Sequence, residues 1–159
     1  MSTYSNVMIK QLAPGKIQDA LKVRIAVFVE EQKYAMEDEI DDQDNISLHW
    51  VAYADKQNPD GTMEHDVPVG TIRLIPKPDQ LAKLGRLAVL SDARGLYIGQ
   101  KLVAHFIQHC QENQFKDIVL HAQYPRRGFY QKLGFVIDEG SETFLEDGTP
   151  HICMHMRNI

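Results

Sequence analysis

Between Lys83 and Gln123 the hydrophobic period changes twice, and this constrains the fold more than any other feature of the chain. "KLGRLAVL" (Lys83 to Leu90) reads as a strand. "SDARGLYIG" interrupts it with two glycines. Leu102, Val103, Phe106, Ile107 and Cys110 then form one apolar stripe at helical spacing. "DIVLHAQ" (Asp117 to Gln123) returns to a strand rich in branched residues. Strand, helix and strand in that order predict a right-handed parallel crossover. Ligands of open sheets sit at the carboxyl ends of strands, and "ARGLYIG" lies at such an end.

The remaining segments complete a mixed sheet. "NVMIKQLAP" (Asn6 to Pro14) alternates like a first strand, broken by Pro14-Gly15. Ile17, Ala20, Leu21, Ile25 and Phe28 follow helical spacing. "EEQKYAMEDEIDDQDN" is acidic with little periodicity and reads as a solvated loop or a short second helix, with an acidic binding site as the alternative. "SLHWVAYAD" (Ser47 to Asp55) and "VPVGTIRLIP" (Val67 to Pro76) read as partner strands joined by a long, mobile connection. "RRGFYQKLGF" predicts a short helix capped by Gly134. Strands are expected around Phe135 to Asp138 and His151 to Met156. The expected fold is α/β, a single domain over residues 1–159 with a partly antiparallel mixed sheet flanked by helices.

The 159 residues suffice for one sizeable core. A net charge of -5 argues against whole-molecule attraction to nucleic acid or an anionic membrane. No run approaches the roughly 18 apolar residues of a membrane helix, and "MSTYSNVMIKQLAPGK" lacks a signal-peptide core. Cys110 and Cys153 have no metal-ligand spacing, so no metal is expected, and a cytoplasmic location with reduced thiols is the simplest expectation.

A helix N-terminus exposes unpaired N–H groups and partial positive charge, which suit an anion. Gly95 and Gly99 allow close backbone approach, and Arg94 and Lys101 add charge. The loop is neither a Walker loop nor a GxGxxG fingerprint. By itself it is equally consistent with an ordinary helix start.

"GRLAVLSDARGLYIGQKL" followed by "LHAQYPRRGFYQKLGF" resembles the GNAT superfamily of N-acetyltransferases. Arg94, Tyr97 and Gly99 fall on that family's Arg/Gln-x-x-Gly-x-Gly/Ala positions, with Tyr97 replacing the usual Gly. "VRIAVFVEEQ", "LHAQ" and "EDGTPHICM" further resemble its ElaA/YjcF-like branch. The resemblance implies acetyl-coenzyme A as co-substrate. Its pyrophosphate would rest on amides of Arg94, Gly95, Leu96, Tyr97, Ile98, Gly99, Gln100 and Lys101. Pantetheine would pair like an added strand with Leu87, Ala88 and Val89, and Gln123 would contact the cofactor. Tyr97 would serve through its amide provided that its φ stays negative.

Two residues are candidates for proton transfer. Tyr130, in the family's "FY" signature, either protonates the thiolate or is a packed helix tyrosine. His151, in a Pro-His-Ile-x-Met setting, either is the base for the amine or is a satisfied strand histidine. Arg86, Arg24, Glu31 and His121 are expected to shape the acceptor pocket, with Glu146 a further polar wall residue; a surface ion pair is the equal alternative for Arg86. Cys110 is expected in the core. The implied activity is direct acetyl transfer to a primary amine, small-molecule rather than protein, with a homodimer possible because relatives pair through their last strands. The competing readings are a non-catalytic coenzyme A-binding module and an unrelated nucleotide-binding domain. Glu37 to Asp44 points to a basic acceptor and Arg86 to an acidic one.

Overall fold

The computed structural model describes residues 2–159. Seven strands form one sheet in the order β1-β2-β3-β4-β5-β7-β6. They are β1 (Thr3–Gln11), β2 (Leu48–Gln57), β3 (Met63–Lys77), β4 (Leu81–Val89), β5 (Asp117–Gln123), β6 (Phe144–Glu146) and β7 (Thr149–Met156). The helices are α1 (Gln18–Arg24), α2 (Met36–Glu39), α3 (Ile98–Glu112) and α4 (Arg127–Lys132). Neighbouring strands run antiparallel except β4 and β5, which are parallel and joined through α3 as the period changes require.

The apolar stripe of α3 is the core seam. Leu102, Val103, Phe106 and Cys110 are fully buried against Ile72, Leu74, Leu84, Leu120 and Met154 of the sheet. Burial of this kind contributes about 25 cal/mol per Å2 of apolar surface removed from water. Gly70 permits the approach, since a Cβ there would stand 3.0 Å from both Ile98 and Leu102. The opposite sheet face receives α1, whose Val23 meets Ala88 of β4. Past Arg24 this helix widens to π pitch over Ile25–Glu31, with Gln32 N–H donating to the Val27 carbonyl at 2.9 Å. Such widening recurs near functional sites.

Three expectations need correction. The connection between β2 and β3 is a tight hairpin rather than a mobile loop, because Met63–Asp66 extends β3 and Asn58 N–H donates to the Thr62 carbonyl. The strand expected around Phe135 to Asp138 is one isolated bridge, Val136 to His155. The edge strand is instead β6, a three-residue segment too short to show a period. The first strand begins at Thr3 and ends at Gln11, because its pairing with β2 runs to Thr3. Gly134 does close α4: at φ 102° it lets Phe135 N–H reach the Tyr130 carbonyl and Gly134 N–H the Gln131 carbonyl. Among the described residues, no helix is long and apolar enough to cross a membrane.

Candidate active site

The parallel ladder between β4 and β5 joins Leu81–Leu84 to Asp117–Leu120 and then stops. Beyond it the strands diverge, for two reasons. β5 stays paired to β7 as far as Gln123, opposite His151. β4 carries a bulge: Thr71 pairs with Ala88 and Arg73 with Gly85, so Arg86 and Leu87 together oppose Ile72. Arg86 takes φ 52° there, and a bulge of this type bends and twists its strand. The divergence opens a cleft of about 840 Å3 between Gly85–Val89, the loop before α3, α4 and β7.

The floor of the cleft is the edge of β4 beyond the parallel ladder. Gly85–Val89 faces a side on which β5 no longer pairs. At one end stands α3, capped by Tyr97 with no side-chain cap bond; Lys101 N–H returns to the Tyr97 carbonyl. The N–H groups of Ile98, Gly99 and Gln100 therefore have no partner within the helix. Gly99 lets α3 lie close to α4, since a Cβ there would meet the Phe129 ring at 3.3 Å. Tyr97 has φ 59°, so the expectation of a negative φ fails; its exposed ring stands on a left-handed backbone that suits glycine.

Leu87, Ala88, Val89, Arg94, Gly95, Tyr97, Ile98, Gly99, Gln100 and Gln123 all line the cleft, whereas Leu96 and Lys101 do not. The Arg94 guanidinium is already engaged: Nη1 and Nη2 each donate to Glu31 at 2.7 Å and Nε donates to the Val89 carbonyl at 3.1 Å. Glu31 thus pairs with the loop instead of lining the acceptor pocket. Its carboxyl is held below the usual range, first by the Arg94 hydrogen bonds.

Tyr130 and His151 both line the cleft. Burial pushes the Tyr130 phenol up to about 12, with Arg126 opposing weakly. His151 lies 2.8 Å by Nδ1 from the Thr149 carbonyl, which requires Nδ1–H as donor and leaves Nε2 as the acceptor in the neutral ring. That Nε2 stands 3.7 Å from Glu146 Oε2, while Glu146 Oε1 is 2.9 Å from His121 Nδ1. The His121 hydrogen bond, opposed by burial, lowers the Glu146 pKa and keeps it ionised between the two imidazoles. Across the cleft, the Gln123 amide donates to Gln32 Oε1 at 2.9 Å and to the Tyr34 hydroxyl at 3.3 Å. Tyr34 in turn meets Thr149 Oγ1. Gln32 and Tyr34 were not anticipated; they fall in the segment without periodicity, and tertiary contact alone brings them here.

Arg24 is not a pocket residue. It is fully buried, with Nε donating to Glu39 at 2.7 Å and Nη1 to Asp44 at 2.8 Å. Arg73 donates to Asp41 and Asp44, and Arg86 donates to Asp41 and to the carbonyls of Asp38 and Glu39. Three guanidinia are thereby set against Glu39, Asp41 and Asp44, so these three acids form an ion-paired framework rather than an acidic binding site. Arg86 lines the cleft but belongs to this network. Burial opposes ionisation of Asp44, yet hydrogen bonds and charge from Arg24 and Arg73 outweigh it, and its pKa is lowered. Cys110 is core, its thiol pushed up to about 12 by burial.

Comparison with known proteins gives this geometry its relatives. The acetyltransferase (GNAT) domain profile matches residues 16–158. The chain belongs to the GNAT family. Within it the chain falls in the ElaA/YjcF-like branch and is an N-acetyltransferase. It is similar to Bacillus subtilis YyaT (35% identical; 87% of this chain, 86% of that one) and to B. subtilis YjcF (34% identical; 87% and 91%). Among solved GNAT structures, Escherichia coli ElaA superposes with a TM-score of 0.76 at 28% identity (94% of this chain, 99% of that one). An acyl-CoA N-acyltransferase from Pseudomonas aeruginosa superposes with a TM-score of 0.72 at 28% identity (95% and 99%). Membership implies a co-substrate of the coenzyme A kind. The free amides of α3 and the unpaired edge of β4 fit such a molecule, the first offering donors to phosphates and the second a strand-like partner to an amide-bearing arm.

Proposed function

We propose that this GNAT enzyme transfers an acetyl group from acetyl-coenzyme A directly to the primary amine of a small molecule. The observation that carries the reading is that Tyr130 and His151 line one cleft whose floor is the unpaired edge of β4. A cleft of about 840 Å3 is in the size range of small-molecule sites, which favours a small acceptor.

Acetyl-coenzyme A, when bound, supplies an activated acyl group and a thiolate leaving group. The chain's own groups do the rest. The amides of Ile98, Gly99 and Gln100 hold the pyrophosphate, helped by Arg94 once it leaves Glu31. Gly85–Val89 holds the pantetheine arm, and the bulge at Arg86–Leu87 turns a backbone N–H out of the ladder toward the acyl oxygen. His151 Nε2 accepts a proton from the acceptor ammonium so that the neutral amine attacks the thioester carbon, and the Tyr130 hydroxyl donates a proton to the departing sulfur. Holding amine and thioester side by side requires no covalent enzyme intermediate.

Calorimetric titration with acetyl-coenzyme A, followed by free-thiol release across a panel of amines, tests the reading. Binding together with amine-dependent thiol release is expected; binding without any amine-dependent release would leave a coenzyme A-binding module.

A further inference from the structure

Lys83 lines the cleft and has no role in the machinery described above. Lys83 lies on β4 opposite Ile75 of β3 and Val119 of β5. Strand alternation turns it to the sheet face that also carries His121 and, through the Gln123–His151 pair, His151. It lines the cleft and is half-buried. Among the described residues, it has neither a hydrogen-bond partner nor an ion pair.

Its neighbours leave it unpaired for a structural reason. Arg73 is neutralised by Asp41 and Asp44, and Arg86 by Asp41 and Glu39. Glu146, the acid nearest in charge to Lys83, is held by His121 at 2.9 Å and faces His151. Lys77, a rim residue on β3, adds a second positive charge. Partial burial disfavours the Lys83 ammonium, the largest influence on it, and the surrounding cations add to that. The charge of Glu146 offsets this only in part, and a partly desolvated ammonium gains from a further counter-ion.

We propose that Lys83 binds an anionic oxygen group on the acceptor, so that the acceptor class is a small amine carrying a carboxylate, phosphate or phosphonate. The inference rests on the acetyltransferase reading and names the substrate class of that same cleft. The amine end meets His151 and the anionic end meets Lys83, both on one sheet face. The ion pair forms where water is partly excluded, which strengthens it relative to bulk water. A simple polyamine is disfavoured at this end of the cleft, because its second ammonium would face the cations Lys83 and Lys77.

Two measurements test this. The first is amine selectivity by thiol release, comparing amines that differ in the anionic group: β-alanine against its amide, and 2-aminoethylphosphonate against propylamine, extended to amino acids of several lengths. The acidic members are expected to lead in kcat/KM. Lys83→Gln should collapse that preference by about 10- to 100-fold, mainly through KM, as expected for a hydrogen bond to a charged group. Lys83→Arg, which keeps the charge, should retain most of it. A preference for the neutral amines, or an equal loss for both members of each pair in Lys83→Gln, would overturn the proposal.

The second measurement needs no turnover. With coenzyme A present, inorganic phosphate should protect Lys83 from a lysine-acylating reagent, read by mass spectrometry, relative to exposed Lys22 and Lys101. Unchanged labelling of Lys83 while coenzyme A remains bound would refute the anion site and leave the acetyltransferase reading standing. Failure of the wild-type chain to bind acetyl-coenzyme A would refute both.

Discussion

Both carboxylate oxygens of Glu31 lie 2.7 Å from the guanidinium nitrogens of Arg94. The pair is solvent-accessible at the mouth of the cleft, so it stabilises the fold little. In the proposed reading a coenzyme A phosphate would compete with Glu31 for the same guanidinium. Glu31→Gln is expected to tighten coenzyme A binding by about two- to five-fold, the scale of an exposed ion pair. Arg94→Ala is expected to weaken it and to flatten its salt dependence. Calorimetry at two salt concentrations checks both; unchanged affinity in Arg94→Ala would remove the arginine from the phosphate site.

Tyr130 is half-buried beside Phe129 and Phe135, with edge-to-face ring contacts at 5.1 and 6.0 Å. Tyr130→Phe keeps that packing and deletes the hydroxyl proposed as proton donor. We expect kcat to fall by about 10^2-fold or more while coenzyme A affinity holds. Because burial raises the phenol to about 12, its proton-bearing form persists on the alkaline side, and the wild-type rate should show no loss assignable to Tyr130 below about pH 10.

His151 owes its orientation to the Thr149 carbonyl at 2.8 Å. The acidic limb of the pH–rate profile should disappear in His151→Ala, with kcat lowered by about 10^2-fold. Retention of the same limb in the variant would assign the base elsewhere.

Removing Arg24 strips Glu39 and Asp44 of a buried partner. Arg24→Ala should destabilise the fold by about 3–5 kcal/mol in urea unfolding. The pH dependence has a definite sign. Asp41 and Asp44 have lowered pKa values in the folded chain, because hydrogen bonds and charge from the arginines outweigh burial. Their contribution is complete above the unfolded carboxylate value of about 4 and is lost as pH falls below it toward the folded values. Stability should therefore be flat with respect to these groups near neutrality and drop in acid.

Tyr97 adopts φ 59° at the head of α3. A left-handed backbone costs an L-residue about 1–2 kcal/mol, offset in a glycine variant by greater freedom of the unfolded chain. Tyr97→Gly should leave stability unchanged or slightly higher, while Tyr97→Val should lower it by about 1 kcal/mol. Thermal unfolding of the two variants gives the comparison; a more stable Val variant would contradict the strain.

The periodic segments announced themselves. The stripe of α3 and the alternation of β4 and β5 are local patterns, and their order already requires a parallel crossover with a ligand-ready loop between strand and helix. Tyr130 and His151 were legible because their surrounding motifs are contiguous in the chain. The aperiodic stretch from Glu31 to Asp44 was not legible. Glu31, Gln32, Tyr34, Glu39 and Asp44 find their partners 15 to 115 residues away, and charge pairing at such separations leaves no spacing to read. The same holds for Lys83. Composition shows a lysine in a strand, and tertiary packing decides that Glu146, the acid acting on it, is held by His121. The order of elements was thus written in short-range hydrophobic period, whereas the splay of β4 from β5, the arginines held as framework and the unpaired state of Lys83 were settled by long-range pairing.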